Sequence, residues 1–242
     1  MAEMMFYQNL VSLDSKAHGA MKVRQAGGLS FAAGCNSVPL VGQEFFDVAK
    51  ELPIVFVKGG DGEFLPVALL GLRNNENLMI NADGLWKGRY LPAFIRRYPF
   101  VPAQVKEGEM AICIDDAATC LSREEGEALF ADDKPTPFLQ GVIRLLQDYQ
   151  VAAERTVAFS KGLRDSNLLI ESNAEARMQN GESFRLSGLY VVDEKRLQVL
   201  DKERVHALFV SGELGLIYSH LLSLGNVQVL VEKLTEKLKD AA

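Results

Sequence analysis

Two apolar, β-prone runs, Ile54-Val55-Phe56-Val57 and Val67-Ala68-Leu69-Leu70-Gly71-Leu72, stand on either side of Gly59-Gly60-Asp61-Gly62. Runs of that kind around a glycine-rich turn predict a β-hairpin, because glycine reaches the positive φ that a tight reversal needs. A second pair repeats the signal: Leu169 to Met178 and Phe184 to Val192 flank Gln179-Asn180-Gly181-Glu182, where Asn-Gly is the strongest short hairpin cue. Strand character also appears at Leu78-Met79-Ile80, stopped by Asn81 and Asp83-Gly84, and at Met110-Ala111-Ile112-Cys113-Ile114. Hairpins join neighbours in opposite directions, so the expected sheet is antiparallel.

Helical spacing takes over between and after these runs. Thr136-Pro137 is an N-cap followed by proline at the first helical position, and it opens a long helix with the stripe Phe138, Val142, Leu145, Tyr149, Ala152 and Thr156, an apolar face expected in the core rather than at a dimer interface. The Ser122–Glu125 spacing predicts a capped helix to Phe130, Lys87 to Tyr98 a short helix sharing Tyr90, Phe94 and Tyr98 on one face, and Glu44 to Glu51 a turn or two. Leu197 to Leu200 is expected to extend the second hairpin's sheet. Asp201 then caps a helix ending near Gly212, a second helix carries Leu214, Ile217, Leu221 and Leu222, and Asn226 caps a third. Strands grouped apart from helices predict an α+β fold: an antiparallel sheet covered by helices in a single domain over residues 1–242, with a C-terminal helical cap from about residue 201.

A formal net charge of -6 opposes attachment to nucleic acid or anionic lipid. Cys35, Cys113 and Cys120 are an odd set without a close CxxC pair, which points to reduced thiols and a cytoplasmic location. Met1 to Ala20 lacks the basic start and unbroken apolar core of an export signal, and the longest uninterrupted apolar runs fall short of a membrane span. The expected partners are therefore a protein, a second copy of the chain, or a small molecule.

No P-loop, nucleophile elbow or H-E-x-x-H pair is present in the sequence, and the spacing of Cys113, Asp115, Asp116 and Cys120 fits no zinc pattern. No catalytic residue, metal or cofactor is expected. The candidate ligand-binding stretch runs from Asp83 to Pro102, which holds the single tryptophan, two of six tyrosines and three arginines. Arg89, Arg96 and Arg97 bring planar donors suited to carboxylate or phosphate, while Trp86, Tyr90 and Tyr98 bring flat faces for stacking. Asp83, and His18 beside Gly19, complete the candidate set. The competing reading makes the aromatics core anchors and pairs each arginine with one of the excess carboxylates.

Several blocks also carry a resemblance. Pro53-Ile54-Val55-Phe56, Pro66-Val67-Ala68-Leu69-Leu70-Gly71-Leu72, Trp86 with Tyr90-Leu91-Pro92-Ala93-Phe94-Ile95-Arg96-Arg97-Tyr98-Pro99-Phe100, Ser187-Gly188-Leu189-Tyr190-Val191-Val192-Asp193 and Ser219-His220-Leu221-Leu222 occur in an order and spread that resembles the SapC-like bacterial proteins, which are similar in length to this chain. The resemblance implies a surface-layer association by name and an accessory role around uptake or modification of a ligand, and it implies no particular active site. Two hypotheses follow: a non-catalytic binding or assembly protein, or a ligand-binding accessory or enzyme acting on an anionic or aromatic small molecule or peptide. Geometry separates them. Paired arginines in closed packing favour assembly, whereas a concave pocket where arginines and aromatics converge favours a ligand.

Overall fold

A computed structural model describes residues 5–24, 28–106, 109–177 and 183–240. In chain order come β1 (Leu10–Ser12), α1 (Ser15–His18), β2 (Lys22–Val23), β3 (Ser37–Pro39), α2 (Phe45–Val48), β4 (Ile54–Lys58), β5 (Phe64–Leu69), α3 (Ala93–Arg96), β6 (Phe100–Lys106) and β7 (Glu109–Asp115). Four two-residue strands follow, β8 (Leu121–Ser122), β9 (Glu127–Ala128), β10 (Phe130–Ala131) and β11 (Lys134–Pro135). After them come α4 (Pro137–Asp165), β12 (Leu169–Arg177), β13 (Ser183–Val192), α5 (Glu194–Gln198), α6 (Lys202–Ser211), α7 (Glu213–Ser223) and α8 (Val227–Asp240). The fold is α+β.

Both expected hairpins form. β4 and β5 pair from Ile54↔Ala68 to Lys58↔Phe64, with Gly62 at φ 83° in the turn, and β12 pairs with β13 from Leu169↔Val192 to Arg177↔Ser183. The expected turn Gln179-Asn180-Gly181-Glu182, with Met178, lies outside the described residues. Together these strands make an antiparallel sheet of order β12-β13-β4-β5-β3. Phe56, Ile54 and Ala68 are fully enclosed beneath it, as are Phe45, Val48 and Leu52 around α2. Enclosing a side chain such as Phe or Ile stabilises by about 2 kcal/mol against leaving it wet.

The long helix forms as its cap predicts: Thr136 Oγ1 accepts the Leu139 amide at 3.3 Å, and Pro137 occupies the first turn. It bridges two apolar cores. Its first half puts Leu139 and Leu146 into a cluster with Val23, Phe100, Ile114 and Leu129, beside the β1-β7-β6 and β8-β2-β9 sheets. Its second half puts Phe159 and Leu163 under the five-stranded sheet. Thr156 fixes the helix in place, accepting the Gly42 amide at 2.8 Å on the same Oγ1 that donates to Ala152 O. The predicted stripe is thus only partly core: Ala152 and Thr156 are buried, but Phe138, Val142, Leu145 and Tyr149 are half-exposed.

Four local expectations are corrected. Ser122 does not cap a helix, although its Oγ accepts the Glu124 and Glu125 amides; the chain turns back so that β8 and β9 flank β2. That turn passes through Gly126 at φ 114°, where a Cβ would lie 2.5 Å from Val23 O, so the local serine turn wins over helix. Leu197 is not in a strand, because Asp193 accepts the Lys195 and Arg196 amides and starts α5. Asn226 does not cap α8; its side-chain amide donates to Ala49 O and Leu52 O. The Leu78–Ile80 strand is reduced to a single bridge, Ile80↔Trp86.

Asp201 and Gly212 do bound α6 as expected, with Asp201 accepting the Arg204 amide and Gly212 at φ 79°. The stretch Glu213–Lys239 is long and apolar enough to cross a membrane by length and composition, although polar residues such as Ser219, His220 and Asn226 interrupt it. Here Ile217, His220, Leu230 and Leu234 are fully buried, and His220 bonds to the backbones of β4 and β13.

Candidate functional site

The segment from Asp83 to Pro102 is held by two carboxylates from α2 and its flanks. Glu51 accepts the Arg89 and Tyr90 amides at 2.9 Å. Buried Glu44 accepts the Ala93 amide at 2.7 Å, the Val41 amide at 3.1 Å and the Tyr90 hydroxyl at 3.0 Å. These bonds hold residues 87–92 out of helix, with a bend at Gly88 and Arg89, and Pro92 disfavours helix at Leu91, so the expected Lys87–Tyr98 helix shrinks to α3. Tyr90, Phe94 and Tyr98 consequently do not share one helical face. Burial pushes the Glu44 carboxyl above its usual value, with the Ala93 and Val41 amides opposing the shift.

The candidate residues divide into two groups. Trp86 and Tyr90 are structural neighbours, joined by the Trp86 Nε1 bond to Tyr90 O at 3.0 Å. Arg89 and Asp83 are exposed, the latter accepting from Asn81 Nδ2 at 3.3 Å. His18 is buried in α1, and its Nδ1 lies 3.0 Å from Asp14 O, within the turn that Asp14 caps. The other three, Arg96, Arg97 and Tyr98, line one cleft of about 600 Å³. It lies between α3 with the start of β6, the Leu29–Phe31 stretch and the first half of α4, with Phe138, Val142 and Leu145 on its wall.

Polar satisfaction singles this cleft out. Among the described residues, the enclosed side-chain nitrogens and oxygens without a hydrogen-bond partner are Arg97 Nε, Arg97 Nη2, Arg24 Nε and Ser160 Oγ. Arg97 and Arg24 both line the cleft. Arg97 is only 3% exposed, and its guanidinium carbon lies 4.2 Å from the centre of the Phe94 ring and 5.0 Å from that of Tyr149. The rings hold the cation from its faces and leave its Nε–Nη2 edge without an acceptor. Arg24, by contrast, donates through Nη2 to Thr119 O at 2.5 Å and pairs loosely with Glu125 at 3.5 Å. Buried donors are nearly always paired, and a buried cation without a counter-charge carries several kcal/mol of desolvation cost.

Of the cleft's other polar groups, Arg96 is exposed, with its guanidinium 5.8 Å from the Tyr90 ring centre, and Tyr98 is already committed. Tyr98 stacks on Phe31 at 4.0 Å and donates its hydroxyl to Asp115 Oδ2 at 3.2 Å; burial and then Asp115 push its phenol well up. Asp115 is itself fixed by the Gln8 and Asn9 amides. Burial raises the Cys120 thiol, which therefore stays protonated at neutral pH. Among the described residues, no three His, Cys, Asp or Glu side chains gather as a metal site.

A family model described as SapC matches residues 13–230. The chain belongs to the SapC family. No curated protein and no solved structure matches it. In this SapC chain the cleft sits wholly within the matched residues. Sequence reasoning reached Arg96, Arg97 and Tyr98 through their local density of arginine and aromatic residues. It missed Arg24, Phe31 and Cys120, which carry no local signal and come from separate loops. It also placed the cleft wall of α4 in the core, because a half-buried stripe has the same spacing as a buried one.

Proposed function

We propose that this SapC protein is a non-catalytic binding protein that holds a small organic anion in the cleft beside Arg97. The observation that carries the reading is the enclosed Nε–Nη2 edge of Arg97, a guanidinium fork with no acceptor among the described residues, in the wall of a largely apolar cleft of ligand size. What favours binding over catalysis is that Tyr98 is tied to Asp115 and Cys120 is held as a thiol, so neither serves as base or nucleophile. The three free cysteines are in keeping with a reducing compartment.

A thermal-shift screen over organic anions, including amino acids, short peptides, flavins and carboxylates, tests this reading. At least one anion is expected to raise the unfolding midpoint of the wild-type protein by several degrees, as binding far above Kd requires. The same anion is expected to leave Arg97→Ala unmoved. A flat response of the wild-type protein across the panel contradicts the proposal.

Assembly with a protein partner is a second reading, favoured by apolar side chains left in solvent on α6 and α7. Phe209 is 70% and Leu222 77% exposed, and Tyr218 lies one turn before Leu222. Sedimentation velocity checks its simplest form, in which the chain pairs with itself. A concentration-dependent dimer that Leu222→Glu dissolves supports self-assembly, and a monomer at every concentration contradicts it.

A further inference from the structure

We infer that the anion is an apolar monocarboxylate, a molecule with one carboxylate head and an aliphatic body. The inference rests on the cleft being a binding site and goes further by naming what fills it. The unpartnered atoms of Arg97, Nε and Nη2, form one edge of a planar guanidinium. Two parallel N–H donors on one edge match the two oxygens of a carboxylate, which would take both bonds side-on. The edge is enclosed, so a lining side chain shifts to admit the head group. The enclosed fork calls for one buried head group, since Arg96, the other cation of the lining without an ion pair among the described residues, stands exposed to solvent. Arg24 adds one enclosed, unpartnered Nε, while its Nη2 donates to Thr119 O and its Nη1 lies 3.5 Å from Glu125.

The rest of the cleft sets the body. Leu29, Leu91, Ile95, Phe138, Val142 and Leu145 line it with hydrocarbon, and these side chains offer a sugar, a nucleotide base or a peptide backbone no hydrogen bond. A flexible aliphatic chain loses little by leaving water here. Gly141, on the same wall, leaves space that a side chain can fill: a Cβ added there meets nothing within 4 Å.

Isothermal calorimetry with linear carboxylates from hexanoate to dodecanoate, their primary amides and the matching alkyl phosphates tests the inference. Affinity is expected to rise about fourfold per added methylene until the cleft is full. Each amide is expected to bind at least about 100-fold more weakly than its carboxylate, since it cannot answer the charged fork. Gly141→Phe is expected to keep the fold and lose the binding, while Leu216→Phe, in a separate cleft beside Phe46, keeps both. Carboxylate binding that ignores chain length overturns the aliphatic body and leaves the anion site standing. Alkyl phosphates or amides binding as tightly as carboxylates overturn the head group. Binding that survives Gly141→Phe places the ligand elsewhere and overturns the inference together with the site it rests on.

Discussion

Replacing His220 by leucine is expected to destabilise the protein by about 4 kcal/mol, read as a fall in the denaturant midpoint without a change of slope. The ring is fully buried where α7 crosses the sheet, edge-on to Phe56 at 5.2 Å. Its Nε2 accepts the Val192 amide of β13 at 3.0 Å, and its Nδ1 lies 2.8 Å from Ile54 O of β4. A backbone amide only donates and a carbonyl only accepts, so the proton sits on Nδ1 and the imidazole is neutral. Leucine fills the space and leaves both backbone groups buried and unpaired, which is the larger penalty.

The same histidine gives the protein an acid limb. Desolvation holds its pKa down to about 4, against the ordinary 6.5, with the Ile54 carbonyl opposing. Between these two values the unfolded chain takes a proton that the folded one refuses, so its contribution is complete above about pH 6.5 and declines as pH falls toward 4. The loss amounts to roughly 3 kcal/mol. His220→Leu is expected to lose this part of the pH dependence, so the gap between wild type and variant narrows on acidification. A gap that stays constant from neutral pH to pH 4 contradicts the neutral, buried assignment.

Arg97→Met is the second large change, and its two effects have opposite signs. Methionine keeps much of the packing between Phe94 and Tyr149 and removes a cation that, among the described residues, has no ion-pair partner and no acceptor on one edge. The two cation–π contacts it gives up are worth about 2–4 kcal/mol together, at most matching the several kcal/mol of desolvation it relieves. Denaturant unfolding is therefore expected to show a variant about as stable as the parent or more so, by up to about 2 kcal/mol. Binding of a carboxylate is expected to weaken by at least about 100-fold, because the fork is gone. A residue kept at a cost to stability and needed for binding is a site residue. A variant that unfolds several kcal/mol more easily would make Arg97 a packing anchor instead.

What the sequence disclosed follows the range of the interactions involved. The β4–β5 hairpin, the Thr136-Pro137 start of α4 and the Asp201 and Gly212 ends of α6 are decided within a few residues, and their chemistry is visible in a row. The Ser122–Glu125 spacing failed although its hydrogen bonds form, since β2 recruits both sides of the turn and Gly126 accommodates the reversal. The Lys87–Tyr98 helix failed because Glu44, far earlier in the chain, takes the Ala93 amide that a helix would turn back on Arg89, while Glu51 anchors the chain at Arg89 and Tyr90. No periodicity announces such a partner. The site was half legible for the same reason: Arg97 and Tyr98 stand in a dense local cluster, whereas Arg24 and Phe31 join them only after the chain has folded.

The central claim is that the free edge of Arg97 is the seat of an anion. A crystal structure of the protein grown with decanoate tests it most directly. The predicted result is a carboxylate with one oxygen on Nε and one on Nη2 at about 2.8 Å each, and its chain running along α4 past Val142. Ordered water on that edge, with decanoate absent from the cleft, would contradict it.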